Sequence, residues 1–315
     1  MKYATSTFAK LCLCSLLYLS LTACGDSNVT PAKPADCATG AFVNGMENIA
    51  SFETLIGKKL AVVLWYVNWG DPFPKTEADL VSANGSAPLI TWEPWITNEA
   101  GTLEAIASGS YESYVRQFFQ AAKAWGGPVF LRFAHEMNGN WYPWDGAHNG
   151  GSAGPASYKK AWIYIYDVKQ AVGADNVKLV WCPNNIDQPA ESWNAAANYY
   201  PGDAYVDWLG MDGYNWGWER WQSFDEVFSD IYTKLTALST KPLLIGEFAS
   251  GTKEADEKAA WITDAFEKIR TTYPRIKLCC WFNVNKERDW RLDSSPAAAA
   301  AGKAALQNAW FLGKI

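Results

Sequence analysis

Short apolar runs alternate with longer amphipathic stretches along most of the chain. Runs such as Leu60–Val67 (LAVVLWYV) and Pro242–Phe248 (PLLIGEF) are apolar at nearly every position, which is typical of strands buried in a parallel sheet. The stretch Tyr111–Trp125 repeats its apolar residues every three or four positions and ends at Gly126-Gly127, a pattern that indicates an amphipathic helix with a glycine stop. The chain is therefore predicted to alternate strands and helices.

The same pattern predicts eight strands and seven helices from residue 39 onward. The predicted strands are Ala41–Asn44, Leu60–Val67, Ala87–Trp92, Pro128–His135, Val177–Cys182, a strand within Tyr205–Tyr214, Pro242–Phe248 and Ile276–Asn283. The predicted helices are Glu47–Ile56, Lys75–Ala83, Tyr111–Trp125, Pro155–Val172, Trp221–Leu238, Glu254–Thr272 and Pro296–Trp310. The fifth strand is followed by an irregular connector instead of a helix. Eight β-α units over residues 39–315 predict a single (β/α)8 TIM barrel, because β-α alternation implies parallel strands with right-handed crossovers. A doubly wound open sheet is the alternative, but it would usually need fewer units.

The first 38 residues have the character of a targeting segment and a linker. Lys2 and Lys10 give the amino terminus a positive charge. The apolar run Leu11–Leu21 follows them and is too short to span a bilayer. The sequence LTAC at residues 21–24 resembles a bacterial lipoprotein signal, in which the cysteine becomes the lipidated first residue. We expect residues 1–23 to be removed, Cys24 to carry the lipid, and residues 24–38 to form a linker. The chain would then be exported and held at a membrane or cell surface by the lipid alone; an ordinary signal peptide with cleavage nearby is the alternative.

Composition narrows the classes of function. The net charge is −6, which argues against a nucleic-acid partner because phosphate binding needs a basic surface. The chain has two histidines and no C-x-x-C, GxGxxG or P-loop pattern, so we expect neither a metal nor a cofactor. It also has 18 tryptophans, most of which would fill the core, although flat rings with a polar edge suit sugar rings as well.

Four cysteines remain in the exported domain: Cys37, Cys182, Cys279 and Cys280. Disulfides persist outside the cytoplasm, but neighbouring cysteines on a strand point to opposite faces. Cys37 could therefore bridge to only one of Cys279 and Cys280, and buried free thiols are the alternative.

In a (β/α)8 barrel the chemistry lies at the carboxyl ends of the strands, and two glutamates end opposed strands here. Glu136 follows the fourth predicted strand and Glu247 lies in the seventh. Paired carboxylates can hydrolyse a glycosidic bond, because one donates a proton to the leaving oxygen while the other attacks or activates water. The other polar or aromatic residues at strand ends are Trp92, Glu93, Asn184, Asp212, Tyr214 and Trp281.

A strand period of two predicts which neighbours share the barrel interior with these residues. Arg132 and Ala134 should point inward with Glu136, Leu243 and Ile245 with Glu247, and Gly210 and Asp212 with Tyr214. An inward Arg132 beneath the carboxylates could hold one of them ionised through paired hydrogen bonds.

The segment RFAHEMNGNWYPW at residues 132–144 resembles the strand-4 signature of glycoside hydrolase family 26. Residues 246–248 (GEF) resemble the family's strand-7 nucleophile segment, and residues 212–214 (DGY) resemble the strand-6 segment whose tyrosine hydrogen-bonds that nucleophile. Trp281 resembles the strand-8 sugar platform. The family contains endo-β-mannanases, mixed-linkage β-glucanases and β-1,3-xylanases on a (β/α)8 barrel, and its mechanism retains anomeric configuration.

The resemblance implies a role for each matching residue. Glu136 would be the acid/base and Glu247 the nucleophile of a secreted, retaining endo-β-glycanase. His135 and Trp141 would contact the substrate near the cleaved bond. The full set of expected substrate-binding residues is Arg132, His135, Trp141, Tyr214, Asp212, Trp92, Glu93, Asn184 and Trp281. The expected partner is a polysaccharide bound by a monomer. A non-catalytic glycan-binding lipoprotein on a decayed barrel is the alternative function.

One departure from the family pattern bears on the substrate. Many family mannanases carry a histidine at the end of strand 3, whereas this chain has Trp92-Glu93-Pro94-Trp95, which is more similar to the mixed-linkage glucanases. We therefore expect β-glucan ahead of β-mannan, with β-1,3-xylan third. Glu93 is the candidate for discriminating the sugar epimers, unless it pairs with a lysine or arginine and never meets sugar.

Overall fold

The computed structural model describes residues 36–96, 102–252 and 255–315. The predicted signal segment, Cys24 and nearly all of the linker lie outside these residues, so export and lipidation remain predictions. Within the described residues, no helix is long and apolar enough to cross a membrane.

Eight parallel strands form a closed barrel, which confirms the predicted (β/α)8 fold. The strands are β1 Cys37–Phe42, β2 Val62–Asn68, β3 Ala87–Glu93, β4 Val129–Phe133, β5 Val177–Trp181, β6 Trp208–Asn215, β7 Leu243–Ser250 and β8 Ile276–Phe282. Each strand pairs with the next, and β1 pairs with both β2 and β8, which closes the ring. A short strand that the sequence did not predict, β9 Phe311–Leu312, pairs with the start of β1.

The helices pack around the barrel, largely as the apolar pattern predicts. They are α1 Ile49–Ile56, α2 Lys75–Ala83, α3 Thr102–Ala107, α4 Glu112–Trp125, α5 Gly154–Val172, α6 Phe224–Leu238, α7 Ala255–Thr271 and α8 Pro296–Leu306. The short helix α3 was not predicted, since six residues carry too little periodicity to identify. The irregular connector after β5 contains three 3-10 turns, at Ser192–Asn194, Ala196–Tyr199 and Asp203–Tyr205.

The core has two layers on either side of the barrel wall. The inner layer is small and apolar, and its buried members are Ala38, Ala61, Val62, Leu64, Ala87, Leu89, Phe130, Val180, Cys182, Leu244, Leu278 and Cys280. The larger outer layer lies between the strands and the helices and holds most of the buried aromatic rings. The alternation of side chains along each strand decides which layer a residue joins.

Two tryptophans that were predicted to bind sugar lie in the outer layer, so that prediction is wrong for both. The Trp92 ring stacks on Phe118 at 4.3 Å, and its Nε1 donates to the Tyr114 hydroxyl at 2.9 Å. Trp281 is likewise buried and packs edge-on against Phe248 with 5.1 Å between ring centroids. Each tryptophan is one position away from an inward-facing residue, so strand alternation turns it away from the mouth.

The four cysteines of the domain are free and buried. The Sγ atoms of Cys37 and Cys279 lie 3.9 Å apart in the outer layer, whereas Cys280 belongs to the inner layer. Of the two alternatives that the sequence left open, the structure therefore has the free thiols.

Trp92→Ala should lower the free energy of unfolding by about 3–5 kcal/mol, because it leaves a cavity among packed rings and removes a buried hydrogen bond. Denaturant unfolding followed by circular dichroism measures this loss. Leu80→Ala on α2 is the control: its side chain is exposed, and its loss should be within about 0.5 kcal/mol. An equally small loss for Trp92→Ala would contradict the outer-layer placement.

Candidate active site

Glu136 reaches the barrel mouth because the backbone turns sharply after β4. Ala134 and Glu136 have φ values of 46° and 53°, the left-handed region that costs a residue with a Cβ some strain. The turn brings both His135 and Glu136 to the site, although strict alternation would allow only one of them. It also places Ala134 in the outer layer, so the prediction that Ala134 points inward is wrong.

A similar irregularity brings Glu247 to the same place. Leu244 faces the barrel interior, whereas Leu243 and Ile245 lie in the outer layer, so their predicted inward orientation is wrong. The register with β8 shifts between Ile245 and Phe248, and this shift breaks the period of two. Glu247 therefore contacts the barrel interior although Ile245, two residues before it, does not.

Gly246 makes room for the charged group beneath Glu247. A Cβ at this position would lie 2.5 Å from Nη1 of Arg132 and 2.6 Å from Oδ1 of Asp212. Both distances are far below contact, so a larger residue would displace the arginine.

Arg132 is fully buried and lies between two carboxylates. Its Nη1 donates to Oδ2 of Asp212 at 2.6 Å, and its Nη2 donates to Oε1 of Glu247. The hydroxyl of Thr91 on β3 accepts from Nε at 2.9 Å and from Nη2 at 2.7 Å. Arg132 and Asp212 were predicted to bind substrate, but both side chains are inaccessible. The prediction is wrong because they lie one layer below the mouth, where they position Glu247.

Two tyrosines hold the other side of Glu247. The Tyr66 hydroxyl donates to Oε1 and the Tyr214 hydroxyl donates to Oε2, each at 2.5 Å. Burial and the charge of Glu247 raise the pKa of both phenols, so they remain protonated donors. The Tyr214 contact is the one that the resemblance implied. Tyr66 was missed, although it lies near the carboxyl end of β2 at an inward position two residues after Leu64.

These contacts keep Glu247 ionised. Burial by itself would raise its pKa, but the Arg132 guanidinium and the two tyrosine hydrogen bonds outweigh burial and lower the pKa to about 2. The charge of Asp212 is stabilised less well, and burial together with the negative charges of Glu247 and Glu136 raises its pKa. One guanidinium cannot neutralise two buried carboxylates, and Glu247 has the additional donors.

Glu136 has the opposite environment. Nδ2 of Asn184 donates to its Oε1 at 2.8 Å, and Nε1 of Trp141 donates to its Oε2 at 2.9 Å. Neither donor is charged, so burial and the negative charge of Glu247 raise the pKa of Glu136 to about 7. Asn184 is fixed in turn by Asn138, whose Oδ1 accepts from the Asn184 backbone at 2.8 Å. Asn138 lies within the segment that carried the resemblance but was not predicted as a site residue.

His135 lies between Glu247 and an aromatic wall. Its Nε2 is 3.9 Å from Oε1 of Glu247, and its ring centroid is 5.0 Å from that of Tyr142. Burial and the charge of Arg132 lower its pKa to about 3, so the imidazole is neutral at ordinary pH. Its predicted contact with substrate remains a prediction.

His135, Asp212 and Glu247 offer ligand atoms within 4.8 Å of one another, the spacing of a metal site. Arg132, however, donates to both carboxylates. Its fixed positive charge stands where a cation would have to bind, so these residues fit an ion-pair network better than a metal centre.

Glu93 faces the mouth at the end of β3, and among the described residues its carboxyl group accepts one hydrogen bond, from Nε1 of Trp95 at 3.3 Å. Burial raises the pKa of Glu93 to about 7, and the charge of Glu247 contributes. Across the part of the chain that the structure describes, no lysine or arginine forms an ion pair with it. Trp95 and Trp141 are 41% and 40% exposed, so both present indole surface to solvent at the rim.

Below a pH of about 7 the site therefore joins one ionised and one protonated carboxyl at the mouth of a barrel with an aromatic rim. Such a pair can donate a proton from Glu136 while Glu247 acts as a nucleophile or base.

The chain matches the model of glycosyl hydrolase family 26 over residues 102–313. It is 42% identical over 265 residues to Endoglucanase H of Acetivibrio thermocellus, which covers 82% of this chain and 29% of that protein. It is 28% identical over 249 residues to a mannan endo-1,4-beta-mannosidase of Bacillus subtilis, which covers 76% of this chain and 62% of that protein. The chain thus spans less than two thirds of either relative.

Among solved structures, the Bacillus subtilis mannanase BCman has the same fold, with a TM-score of 0.68 at 21% identity over 90% of this chain and 88% of that one. The family match covers the segments of both glutamates and most of the barrel. From these matches and the barrel that carries them, we conclude that the chain belongs to glycosyl hydrolase family 26.

Proposed function

We propose that the chain is a retaining endo-β-glycanase that cleaves a β-linked glucan by double displacement. The observation that carries the proposal is the unlike surroundings of two glutamates at one barrel mouth: Arg132 and two phenols donate to Glu247, whereas only neutral groups donate to Glu136. These surroundings lower the pKa of Glu247 to about 2 and raise that of Glu136 to about 7. A retaining glycosidase needs this pair, because one carboxylate must attack while the other carboxyl still holds a proton.

In the first step the ionised Glu247 attacks the anomeric carbon of the sugar. The bond to the leaving oxygen breaks, and Glu136 gives that oxygen its proton, so a covalent glycosyl-enzyme and a shortened chain result. In the second step Glu136, now ionised, takes a proton from water. The water oxygen attacks the anomeric carbon and displaces Glu247, which restores both carboxyls and the original anomeric configuration.

The surrounding residues divide between the two carboxyls. Arg132, Tyr66 and Tyr214 position Glu247, and the pair of phenols fixes both of its oxygens. Trp141 and Asn184 position Glu136 without adding positive charge, which preserves its proton. A protein that merely binds glycan has no use for opposite protonation states, so this arrangement favours catalysis over the non-catalytic alternative.

Two observations favour β-glucan over β-mannan. The identity to Endoglucanase H is 42%, against 28% for the Bacillus subtilis mannosidase. Glu93 stands at the mouth with no ion-pair partner among the described residues, so it is available to hydrogen-bond a sugar hydroxyl. Glucose and mannose differ in the orientation of one hydroxyl. A buried polar group that hydrogen-bonds this hydroxyl in one sugar is left without a partner when the other sugar binds, so it discriminates strongly between the two.

Activity on a panel of soluble mixed-linkage β-glucan, β-mannan and β-1,3-xylan tests the proposal. We expect the highest kcat/KM on mixed-linkage β-glucan. Glu247→Gln should abolish turnover on every substrate that the wild type cleaves, because it removes the covalent route. Glu136→Gln should be nearly inactive on polysaccharide but should retain much more of its rate on an aryl glycoside with a good leaving group, which needs no proton.

Each outcome of the panel has a definite meaning. A Glu247→Gln variant within tenfold of wild type would refute the nucleophile assignment, and equal losses by Glu136→Gln on both substrate types would refute the acid. Efficient cleavage of mannan with poor cleavage of β-glucan would overturn the substrate proposal alone. No cleavage of any glycan by the wild type would overturn the catalytic proposal.

Tyr66→Phe and Tyr214→Phe should each lower kcat by about 10- to 100-fold, the effect of one lost hydrogen bond to a charged group. KM should change little, since each phenol acts through Glu247. Steady-state kinetics on mixed-linkage β-glucan measures both constants. Tyr273→Phe is the matched control, because its hydroxyl donates to the carboxylate of Asp225 at 2.5 Å between α6 and α7, away from the mouth. A kcat loss as large in the control as in the Tyr66 variant would show that the site tyrosines act only through stability.

A further inference from the structure

The most exposed tryptophan of the described residues lies on the loop between β6 and α6. Trp218 is 61% exposed, more than either rim tryptophan described above. A single exposed apolar side chain is ordinary on a protein surface. Trp218, however, is the outer end of a continuous row of aromatic rings that begins at the nucleophile.

The row consists of Tyr214, Trp290, Trp216 and Trp218. Tyr214, which donates to Glu247, lies 4.9 Å from Trp290 between ring centroids. Trp290 lies 5.0 Å from Trp216, and Trp216 lies 4.6 Å from Trp218. The row begins at the half-buried Tyr214, passes through the buried Trp290 and the half-buried Trp216, and ends at the exposed Trp218, so it leads from the cleavage centre to solvent.

The loop that carries the outer tryptophans is held at its base. Nδ2 of Asn215 donates to Oγ of Ser250 at 2.9 Å, and its Oδ1 accepts from the backbone of Gln222 at 3.0 Å. The indole Nε1 of Trp261 donates to the carbonyl of Gln222 at 2.9 Å. The two ends of the loop are therefore pinned by buried side chains, which limits the entropy that a ligand would have to overcome.

One backbone feature places the last two rings side by side. Gly217, between Trp216 and Trp218, has a φ of +62°, which a residue with a Cβ rarely adopts. The turn lets two tryptophans only two positions apart lie in contact on the same side of the loop. The exposed ring of Trp218 therefore lies on a turn whose two ends are fixed by hydrogen bonds, and it packs against the ring of Trp216.

We propose that Trp218 forms a remote subsite, where its indole stacks on a glucosyl unit of a β-glucan chain beyond the two sugars at the cleaved bond. The inference rests on the proposed function. A β-glucosyl ring carries its hydroxyls equatorially, so its faces present C–H groups that match a flat indole. An axial hydroxyl, as in mannose, projects from one of these faces and prevents close contact with a flat ring. Continuity with the ring row at Glu247 selects a chain already held in the site as the occupant.

The effect of Trp218→Ala should depend on substrate length. For long β-glucan oligosaccharides, kcat/KM should fall about tenfold, mostly through KM, because the lost stacking is binding energy. For a short aryl glycoside that reaches only the cleaved bond, kcat/KM should stay within about twofold of wild type. Trp218→Phe should recover most of the loss, and Leu80→Ala, an exposed apolar residue of α2, should change neither value.

Binding to an inactive variant separates this inference from the proposed function. Calorimetry with Glu247→Gln and a long β-glucan oligosaccharide should show about tenfold weaker binding when Trp218→Ala is added. If the wild type cleaves β-glucan but Trp218→Ala affects long and short substrates equally, the inference is overturned and the proposed function stands. If the wild type cleaves nothing yet binding still requires Trp218, the proposed function fails and the subsite stands. Unchanged binding in the double variant would overturn the subsite in either case.

Discussion

The site depends on one buried guanidinium. Arg132 has no exposed surface and donates to Glu247, Asp212 and Thr91 from the floor of the barrel mouth. A charge in that position is tolerated only where hydrogen bonds and opposite charge surround it, so the glycine at 246 and the carboxylates are parts of one unit. Its field keeps Glu247 ionised, and the resulting negative charge helps to keep the proton on Glu136. The different roles of the two glutamates therefore follow from the position of the Arg132 guanidinium.

Much of the fold and the centre of the site could be predicted from the sequence, because both leave strong local signals. Buried parallel strands are apolar at almost every position, and Glu136, Glu247 and Tyr214 stand at or near the carboxyl ends of the strands that this pattern predicts. Some errors arose where the backbone departs from a period of two, whereas Trp92 and Trp281 were assigned to the mouth although regular alternation turns both outward. Left-handed φ at Ala134 and the register shift in β7 redirect side chains, and neither can be seen in an apolar pattern. Tyr66 was missed because a tyrosine within an apolar strand has the same sequence pattern whether it packs in the core or donates to a carboxylate.

The tryptophans illustrate the limits of composition. Most are structural: the buried ones include Trp65, Trp92, Trp144, Trp162, Trp181, Trp281, Trp290 and Trp310. Three expose substantial ring surface, namely Trp95, Trp141 and Trp218. Trp141 contacts Glu136 directly, Trp95 contacts Glu93, and Trp218 ends the row of rings that starts beside Glu247. Position on the barrel, and not abundance, separates the rings that could meet sugar from those that fill the core.

The central claim is that the two glutamates hold opposite protonation states in the free protein. The most direct measurement is a pH titration of the chain labelled with ¹³C at the glutamate carboxyls, with the two resonances assigned from Glu136→Gln and Glu247→Gln. The Glu136 carboxyl should lose its proton as the pH rises through about 7, which is also where general-acid catalysis should be lost. Glu247 should remain ionised well below the ordinary glutamate pKa of 4.5. If both carboxyls titrate together near that ordinary value, or if Glu247 holds its proton to the higher pH, the account is contradicted.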